Sequence, residues 1–205
     1  MKKILLITLV ALLGMATANA QIKFGAKAGV NLATLTDLED AKFKLGFHVG
    51  GFAEFTITDV IAIQPELLFS TQGTTSSFET SYEGVDVNVD QTVNLNYINL
   101  PILLKVKLAE GLSAEVGPQV GLLLSAKAKI EGSLLGIGFS RSENIKSDLT
   151  TLDVAAVAGL SYTFAEKFVV GARYNFGLTN LNKENNDDDS KPKNGVIQIS
   201  FGYKF

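Results

Sequence analysis

The stretch NGVIQISFGYKF, residues 194–205, has the clearest strand pattern in the chain. Large apolar or aromatic side chains stand at every second position, namely Ile197, Ile199, Phe201, Tyr203 and Phe205. The residues between them are Gln198, Ser200, Gly202 and Lys204. Successive side chains of a strand point to opposite faces, so this segment has one apolar face and one polar face. Such an ending is unusual for a soluble domain, whose last residues are commonly polar and poorly ordered.

The same period of two recurs along the chain and predicts eight strands, an even count. We place them at about 22–32, 43–57, 61–75, 92–108, 112–128, 151–164, 168–179 and 194–205. Three links are only three residues long: TDV (58–60), AEG (109–111) and AEK (165–167). The long, polar links are 33–42, 76–91, 129–150 and 180–193. Short turns at one end and long loops at the other are typical of an up-and-down outer-membrane β-barrel with periplasmic turns and termini.

The first twenty residues have the features of a secretory signal peptide. Lys2 and Lys3 precede the apolar run 4–13, and Ala18-Asn19-Ala20 forms an A-x-A cleavage site. The apolar run is too short for a spanning helix, which needs about 20 residues. We therefore expect residues 1–20 to be removed and residues 21–205 to form one barrel domain. With no cysteine and a formal net charge of −3, the chain shows neither a disulfide framework nor the basic footprint of nucleic-acid binding.

The two faces of the strands decide between a membrane barrel and a soluble one. In strand 168–179 the apolar face includes Ala172 and Tyr174, and the other face alternates glycine with Arg173 and Asn175. A face so rich in glycine and poor in charge suits the crowded interior of an eight-stranded barrel better than a solvent-exposed coat. We therefore expect the apolar faces, including Leu104 and Val120, to contact lipid. A soluble ligand-binding barrel, the alternative, requires the opposite assignment.

Aromatic residues near the strand ends are expected to form two interfacial girdles. On the loop side these are Phe43, Phe69, Tyr97 and Phe176; on the turn side they are Phe55, Phe164, Phe168, Tyr203 and Phe205.

The polar faces together predict a charged lumen: Lys23, Lys27, Lys44, His48, Glu54, Gln64, Glu66, Lys105, Lys107, Glu115, Gln119, Lys127, Asp153, Arg173, Gln198 and Lys204. The central cluster is expected at Glu54, Glu66, Lys105, Glu115 and Arg173. If Leu108 faces Leu112 across the AEG turn, Lys105 lies directly opposite Glu115. Because isolated buried charges are costly, the cluster must be paired. It forms either a salt-bridged plug, which we favour at this barrel size, or a proton or ion path.

Other candidate sites carry weaker signals. His48 is the only histidine, and no catalytic partner for it is identifiable, so we predict no enzyme activity, no cofactor and no metal site. The acidic run NNDDDS (185–190) offers oxygen ligands for a cation but lacks the spacing of an EF-hand, so a solvated loop is the preferred interpretation. The apolar segment GSLLGIGFS (132–140) either extends the neighbouring strands above the membrane or offers an edge to a partner.

Five segments resemble the PorT-like small outer-membrane β-barrel proteins, which share the general architecture of OmpX and the OmpA transmembrane domain. They are AIQPELLFSTQG (62–73), YINLPILLKVKL (97–108), GPQVGLLLSAK (117–127), DVAAVAGLSYTF (153–164) and RYNFGLTN (173–180). The resemblance implies an assembly signal at Tyr203 and Phe205 that the barrel assembly machinery reads. It also implies assistance to protein secretion in some members, although fold alone does not fix function.

These observations favour a non-enzymatic integral barrel of the outer membrane whose loops contact a secretion-system or other surface partner. Two alternatives remain open at this level. A barrel enzyme acting on lipid or peptide needs an acid or nucleophile within hydrogen-bond reach of His48. A narrow pore needs a continuous water path past Lys105, Glu115 and Arg173.

Overall fold

The computed structural model describes residues 22–36, 41–82, 85–134, 137–183 and 191–205. Nine strands account for most of them: β1 (Ile22–Thr36), β2 (Lys42–Thr56), β3 (Ile61–Tyr82), β4 (Val85–Lys107), β5 (Leu112–Leu134), β6 (Ile137–Asn144), β7 (Leu152–Phe164), β8 (Phe168–Gly177) and β9 (Lys193–Lys204). A short 3-10 helix, Lys146–Asp148, lies between β6 and β7. Among the described residues, no helix has the length and apolar character needed to cross a bilayer.

Eight of these strands close into an antiparallel ring, as the sequence predicts. The order around the ring is β1, β2, β3, β4, β5, β7, β8 and β9, and β9 pairs with β1 to complete it. Closure gives every strand two hydrogen-bonded neighbours and removes the free edges of an open sheet. The three-residue turns lie at one end of the ring, here called the turn end, and the long connections lie at the opposite, loop end. Residues 1–20, the expected signal peptide, lie outside the described residues.

Two of the predicted loops are wrong, because much of their length is strand. Residues 76–82 pair with 85–91, so β3 and β4 form one hairpin of 22 and 23 residues. Residues 129–134 continue β5, and the additional strand β6 pairs with residues 127–134. The alternation of valine and polar residues in VDVNVD (85–90) is the local signal that was available for the first of these extensions.

The parts of β3, β4, β5 and β6 beyond the ring form a four-stranded sheet, here called the extension. β4 and β5 pair along it from Val87↔Leu134 to Leu95↔Ala126, and among the described strands β6 pairs only with β5. On its ring side the β4–β5 register shifts between Asn96 and Tyr97. This bulge reverses the phase of β5 beyond it, because one extra residue moves every later side chain to the other face.

The predicted position of Lys127 in the lumen is wrong because of this bulge. Without the extra residue, Lys127 would share the lumen phase of Glu115 and Gln119; instead it lies opposite Asn94 and is exposed. Ala126 occupies the inner phase in its place and is fully buried.

The ring interior has two layers. Towards the loop end, a core of Leu35, Leu95, Tyr97, Leu123, Ala126 and Leu181 packs against Val93, Ile145 and Leu149. This layer is here called the apolar cap. Towards the turn end, the interior is filled with charged and amide side chains.

Candidate functional site: the lumen and the extension

The outer surface of the ring is apolar, as the faces of the strands predict. Leu104 and Val120 are each 41% exposed on it, and Ala172 lies exposed in the same phase of β8. A further row of exposed Leu, Val, Ile and Phe side chains surrounds the ring on every strand from β1 to β9 except β6. A soluble barrel with an apolar interior and a polar coat does not fit this arrangement.

Aromatic side chains concentrate on the outer surface near the turn end. Phe168 contacts Phe164 with ring centroids 5.4 Å apart and Tyr203 with centroids 5.3 Å apart. Phe205 continues this group, 5.7 Å from Tyr203, and is 76% exposed. The predicted position of Tyr97 in the loop-side girdle is wrong, because Tyr97 is fully buried inside the ring, in the phase of Asn99.

The lumen contains a balanced set of buried charges. The buried cations are Lys27, Lys105, Arg173 and Lys204, and the buried carboxylates are Glu54, Glu66, Glu115 and Asp153. Seven of these eight groups meet in ion pairs, and the exception is Asp153, which accepts from Nδ2 of Asn194 at 2.7 Å. Pairing of this kind is what burial in a low-dielectric interior requires.

Glu66 is the central anion of this set. Nζ of Lys27 donates to its Oε1 at 2.9 Å, and Nη1 of Arg173 donates to its Oε2 at 2.9 Å. Nε2 of Gln64 donates to Oε1 as well, at 2.6 Å. Glu66 thus links β3 to β1 and β8 across the barrel interior.

Lys105 is the central cation nearer the turn end. It lies opposite Glu115 in the β4–β5 register that the AEG turn predicts, and its Nζ is 3.5 Å from Oε1 of Glu115. Its shorter contacts are with Oε2 of Glu54 at 2.9 Å and Oε1 of Gln64 at 3.0 Å. Lys204 donates to both oxygens of Glu54, at 2.8 and 2.9 Å. Of the five predicted cluster residues, the structure therefore places Lys105, Glu54 and Glu115 in one group and Glu66 and Arg173 in another, joined through Gln64.

His48 is buried within an amide network rather than a catalytic one. Its Nδ1 is 2.8 Å from Oδ1 of Asn31, which also accepts from Nε2 of Gln198 at 2.9 Å. Gln198 in turn accepts from Nε of Arg173 at 2.7 Å. Within the described part of the chain, His48 makes no hydrogen bond to a carboxylate, hydroxyl or thiol. The side chain is 1% exposed, which leaves a substrate no access to it.

Asn31 is the member of this network that sequence reasoning missed. Its side chain also donates to Oγ of Ser70 at 3.0 Å and to the carbonyl of Thr71 at 2.9 Å. The polar phase of β1, which includes Lys23 and Lys27, was the signal that pointed to it.

The loop end of the lumen is covered. Leu181 lies in the apolar cap, and its amide donates to the carbonyl of Pro192 at 2.9 Å while its carbonyl accepts from the amide of Thr150 at 2.8 Å. An isolated bridge joins Leu149 to Asn182 above the ring. The segments before β7 and after β8 are thereby tied together across the opening.

The turn end of the lumen is open. A basin of about 820 Å³ lies there, lined by charged residues that include Lys23, Lys107, Glu110 and Glu166. Deeper in the barrel, a cavity beside Lys27, Glu115 and Arg173 measures only about 10 Å³. That is room for about one water molecule, so at this level the charged side chains fill the space between them instead of lining a channel.

The extension has one apolar and one polar face. The even-numbered residues of β4 face outward. Within the ring they are apolar, at Leu100 and Ile98, and beyond it they are polar, at Asn96, Asn94 and Thr92. The register between β4 and β3 stays constant over this change. The inner phase changes in the opposite sense and is mainly apolar. It carries Val89, Val93, Ala128, Ile130 and Phe139, and its polar members are Gln91, Arg141 and Glu143. This reversal marks the level at which the outer surface stops being suited to lipid.

Within the described part of the chain, β6 is the last strand of the extension and gives it a free edge. Ile145 donates its amide to the carbonyl of Ala126 at 3.1 Å, so the odd-numbered residues of β6 direct their backbone groups towards β5. The alternation of an antiparallel ladder then turns the backbone N–H and C=O groups of Ser140 and Ser142 away from the sheet. Of the segment 132–140, residues 132–134 extend β5 and residues 137–140 belong to β6, so the segment both extends the sheet and contributes to the edge, the two possibilities that the sequence suggests.

The described residues do not test the possible cation site in the acidic run. Across the described ranges, no group of three or more His, Cys, Asp or Glu side chains is placed to hold a metal ion. The acidic run 185–190 lies outside the described residues.

The family model described as the outer membrane protein beta-barrel domain matches residues 17–183. No curated protein matches the sequence.

Similar solved structures are small barrels. The crystal structure of Ail, the attachment invasion locus protein of Yersinia pestis, in complex with the heparin analogue sucrose octasulfate, is 18% identical with a TM-score of 0.47, covering 90% of this chain and 99% of that one. Neisserial surface protein A is 14% identical with a TM-score of 0.44, covering 91% and 99%. Acinetobacter baumannii CarO is 10% identical with a TM-score of 0.40, covering 87% and 97%.

Proposed function

Because the chain belongs to the outer membrane protein beta-barrel domain family, we propose that it is a non-enzymatic integral protein of the outer membrane that acts through surface contacts. The observation that carries this proposal is the free edge of β6, which stands above a ring whose interior is filled. A filled interior has little to transport, whereas an unpaired strand edge is a template for pairing with another chain.

The pore alternative is disfavoured by the packing of the lumen. The apolar cap covers one end, and the charged groups beneath it are bonded to one another at 2.6–3.0 Å. The enzyme alternative is disfavoured by the amide surroundings of His48.

We also propose that the turn end faces the periplasm. β1 begins and β9 ends at the turn end, where Phe205 donates its amide to the carbonyl of Phe24 at 2.9 Å. Short turns and chain termini on the periplasmic side are the usual arrangement of bacterial barrels, and the extension then lies outside the cell.

The partner proposed for the extension is an extended segment of another envelope or surface protein, which pairs with β6 as an added strand. Backbone hydrogen bonds would supply affinity, and the exposed Phe139 and Ile130 on the inner face would receive alternate apolar side chains. Arg141 and Glu143, both exposed and 3.7 Å apart, would select the charge pattern of the incoming strand.

The test is site-directed photo-crosslinking in intact cells, with a photoreactive residue at Phe139. We expect one adduct of defined size, and we expect Ser142→Pro to abolish it because proline removes an N–H that points outward from the edge. Ser142→Ala, which keeps that N–H, is the matched control and should leave the adduct unchanged. An adduct that survives Ser142→Pro, or none at all in cells grown under varied conditions, contradicts the proposal.

Within the family, we propose a PorT-like barrel and a role in assisting protein secretion. The five segments that resemble PorT-like proteins fall on β3, β4, β5, β7 and β8 of the ring. Deleting the gene should then reduce the amount of secreted cargo, and a variant with Ser142→Pro should reproduce that loss if the extension is the contact. Normal secretion in the deletion strain would rule out this finer assignment while leaving the surface-contact proposal intact.

We also propose that the barrel assembly machinery recognises the C-terminal strand. Tyr203 and Phe205 lie on the outer surface of β9 beside Phe168, where the barrel assembly machinery could reach them before the ring closes.

A further inference from the structure

Three prolines lie in the interior of three consecutive strands: Pro65 in β3, Pro101 in β4 and Pro118 in β5. Proline has no backbone N–H, so in the interior of a sheet it removes a hydrogen bond from the ladder. The registers set these prolines opposite Ala53, Glu66 and Ile102 respectively. Each of those carbonyl groups therefore lacks the donor that any other residue would supply.

The ladders are interrupted at these positions. Two consecutive pairs are missing from each of three ladders: 53–54 against 64–65, 66–67 against 100–101, and 102–103 against 117–118. The register is the same on both sides of each gap, so the strands stay adjacent without a bulge there. The other five ladders of the ring run without a gap through their described residues.

The three gaps form one continuous line across the wall, here called the proline seam. The first gap ends at Pro65 and the second begins at Glu66; the second ends at Pro101 and the third begins at Ile102. In a bilayer the missing donors matter more than in water, because hydrocarbon offers the freed carbonyl groups no substitute. The wall between β2 and β5 is therefore weaker than the opposite wall.

On the lumen side, side-chain contacts connect the strands on both sides of the proline seam. Lys105 on β4 bonds to Glu54 on β2 and Gln64 on β3, which are themselves one of the missing ladder pairs, and it reaches Glu115 on β5. Its Nζ thus connects all four strands that border the gaps.

We propose that the proline seam is the line along which the barrel wall opens, and that Lys105 is the positioning residue that holds it closed. Segments with fewer backbone hydrogen bonds open with the lowest free energy, and here those segments are contiguous and lie between lumen and lipid. Opening would give the polar lumen a lateral contact with the membrane while the apolar cap and the opposite wall stay intact. The seam is independent of the extension and of its proposed partner.

Amide hydrogen exchange of the full mature barrel in lipid nanodiscs tests this proposal. We expect amides of β3 and β4 beside the seam to exchange about tenfold faster than amides of β7 and β8 at equal distance from the turns, since one hydrogen bond corresponds to a factor of about two to ten. Lys105→Met should accelerate exchange at the seam by about tenfold and leave β7 and β8 unchanged. Lys204→Met is the matched control. This substitution also removes a partner of Glu54, but Lys204 lies on β9 and bridges none of the gaps.

A second variant keeps the test decisive if Lys105→Met fails to fold. Pro101→Val restores an N–H opposite the carbonyl of Glu66 and should slow exchange beside the seam. Equal exchange in the two walls of the wild-type protein, acceleration by Lys105→Met on all eight strands alike, or no slowing by Pro101→Val would each overturn the proposal.

Discussion

At the scale of single residues, the effect of an ion pair on stability depends on its burial. The Glu66 carboxylate is fully buried and bonds two cations, whereas most exposed ion pairs contribute little. Pairs on the extension such as Arg141–Glu143 are exposed, with side chains 79% and 67% accessible. An ion pair inside the ring therefore affects the free energy of unfolding more than an ion pair on the extension.

Replacing Glu66 with Gln should destabilise the folded barrel by about 3–5 kcal/mol, because Lys27 and Arg173 are left buried without a carboxylate. Reversible urea unfolding in lipid vesicles gives the free energy of unfolding. Glu143→Gln, at the exposed pair, should change it by less than about 1 kcal/mol. Equal effects of the two substitutions would show that water reaches Glu66.

Replacing Glu115 should be milder than replacing Glu66. Lys105 keeps Glu54 at 2.9 Å and Gln64 at 3.0 Å when Glu115 is lost, so the ammonium group is not left unpaired. We expect Glu115→Gln to cost less than the about 3–5 kcal/mol of an unpaired buried charge, by the same urea measurement. A cost as large as that of Glu66→Gln would mean that Glu115 is the main partner of Lys105.

At the scale of elements, β4 and β5 each pass through two environments, the ring and the extension. β4 has apolar residues outward up to Ile98 and polar residues outward beyond it, while its pairing with β3 continues in one register from Leu68↔Asn99 to Tyr82↔Val85. β5 reaches the same result by a bulge at the level of Asn96 and Tyr97. The strands are thus longer than the part of them that contacts lipid. The change from apolar to polar residues on the outer face shows where the bilayer ends.

An arginine on the outer face should therefore have an effect that depends on level. Val120→Arg, within the apolar ring surface, should destabilise the barrel by about 2–4 kcal/mol if Val120 lies near the midplane of the bilayer. Ser142→Arg, on the polar face of the extension, should stay within about 0.5 kcal/mol of wild type. Unfolding in vesicles compares them, and a negligible cost of Val120→Arg would contradict lipid contact at that position.

At the scale of the whole molecule, the barrel is asymmetric along its axis. The turn end opens into a basin of about 820 Å³, the middle has room for about one water, and the loop end is closed by the apolar cap. The barrel therefore exposes a charged basin at its turn end and a closed, apolar layer at its loop end.

The purified barrel should accordingly carry no steady ion current in planar bilayers. The physical reason is the salt-bridged middle layer, where Lys27, Glu66 and Arg173 are buried and bonded to one another in the lumen. A stable single-channel conductance at moderate voltage would contradict the plug. Glu66→Gln offers a useful comparison, since current that appears only in this variant would identify the network as the seal.

The sequence by itself determined the features that depend on near neighbours. Period-two alternation within each strand predicted the eight strands of the ring and which face is apolar, and the three-residue AEG turn predicted the register that sets Lys105 opposite Glu115. Only the tertiary structure decided contacts between distant strands. Glu66 and Arg173 are 107 residues apart and meet across the lumen because the ring closes with a particular tilt and stagger, which no local pattern encodes. The exposed position of Lys127 belongs to the tertiary structure as well, because a one-residue bulge reverses the phase of β5. The contact of Tyr97 with Asn194 of β9 likewise requires closure of the ring, whereas the inward direction of Tyr97 follows from the phase that it shares with Asn99.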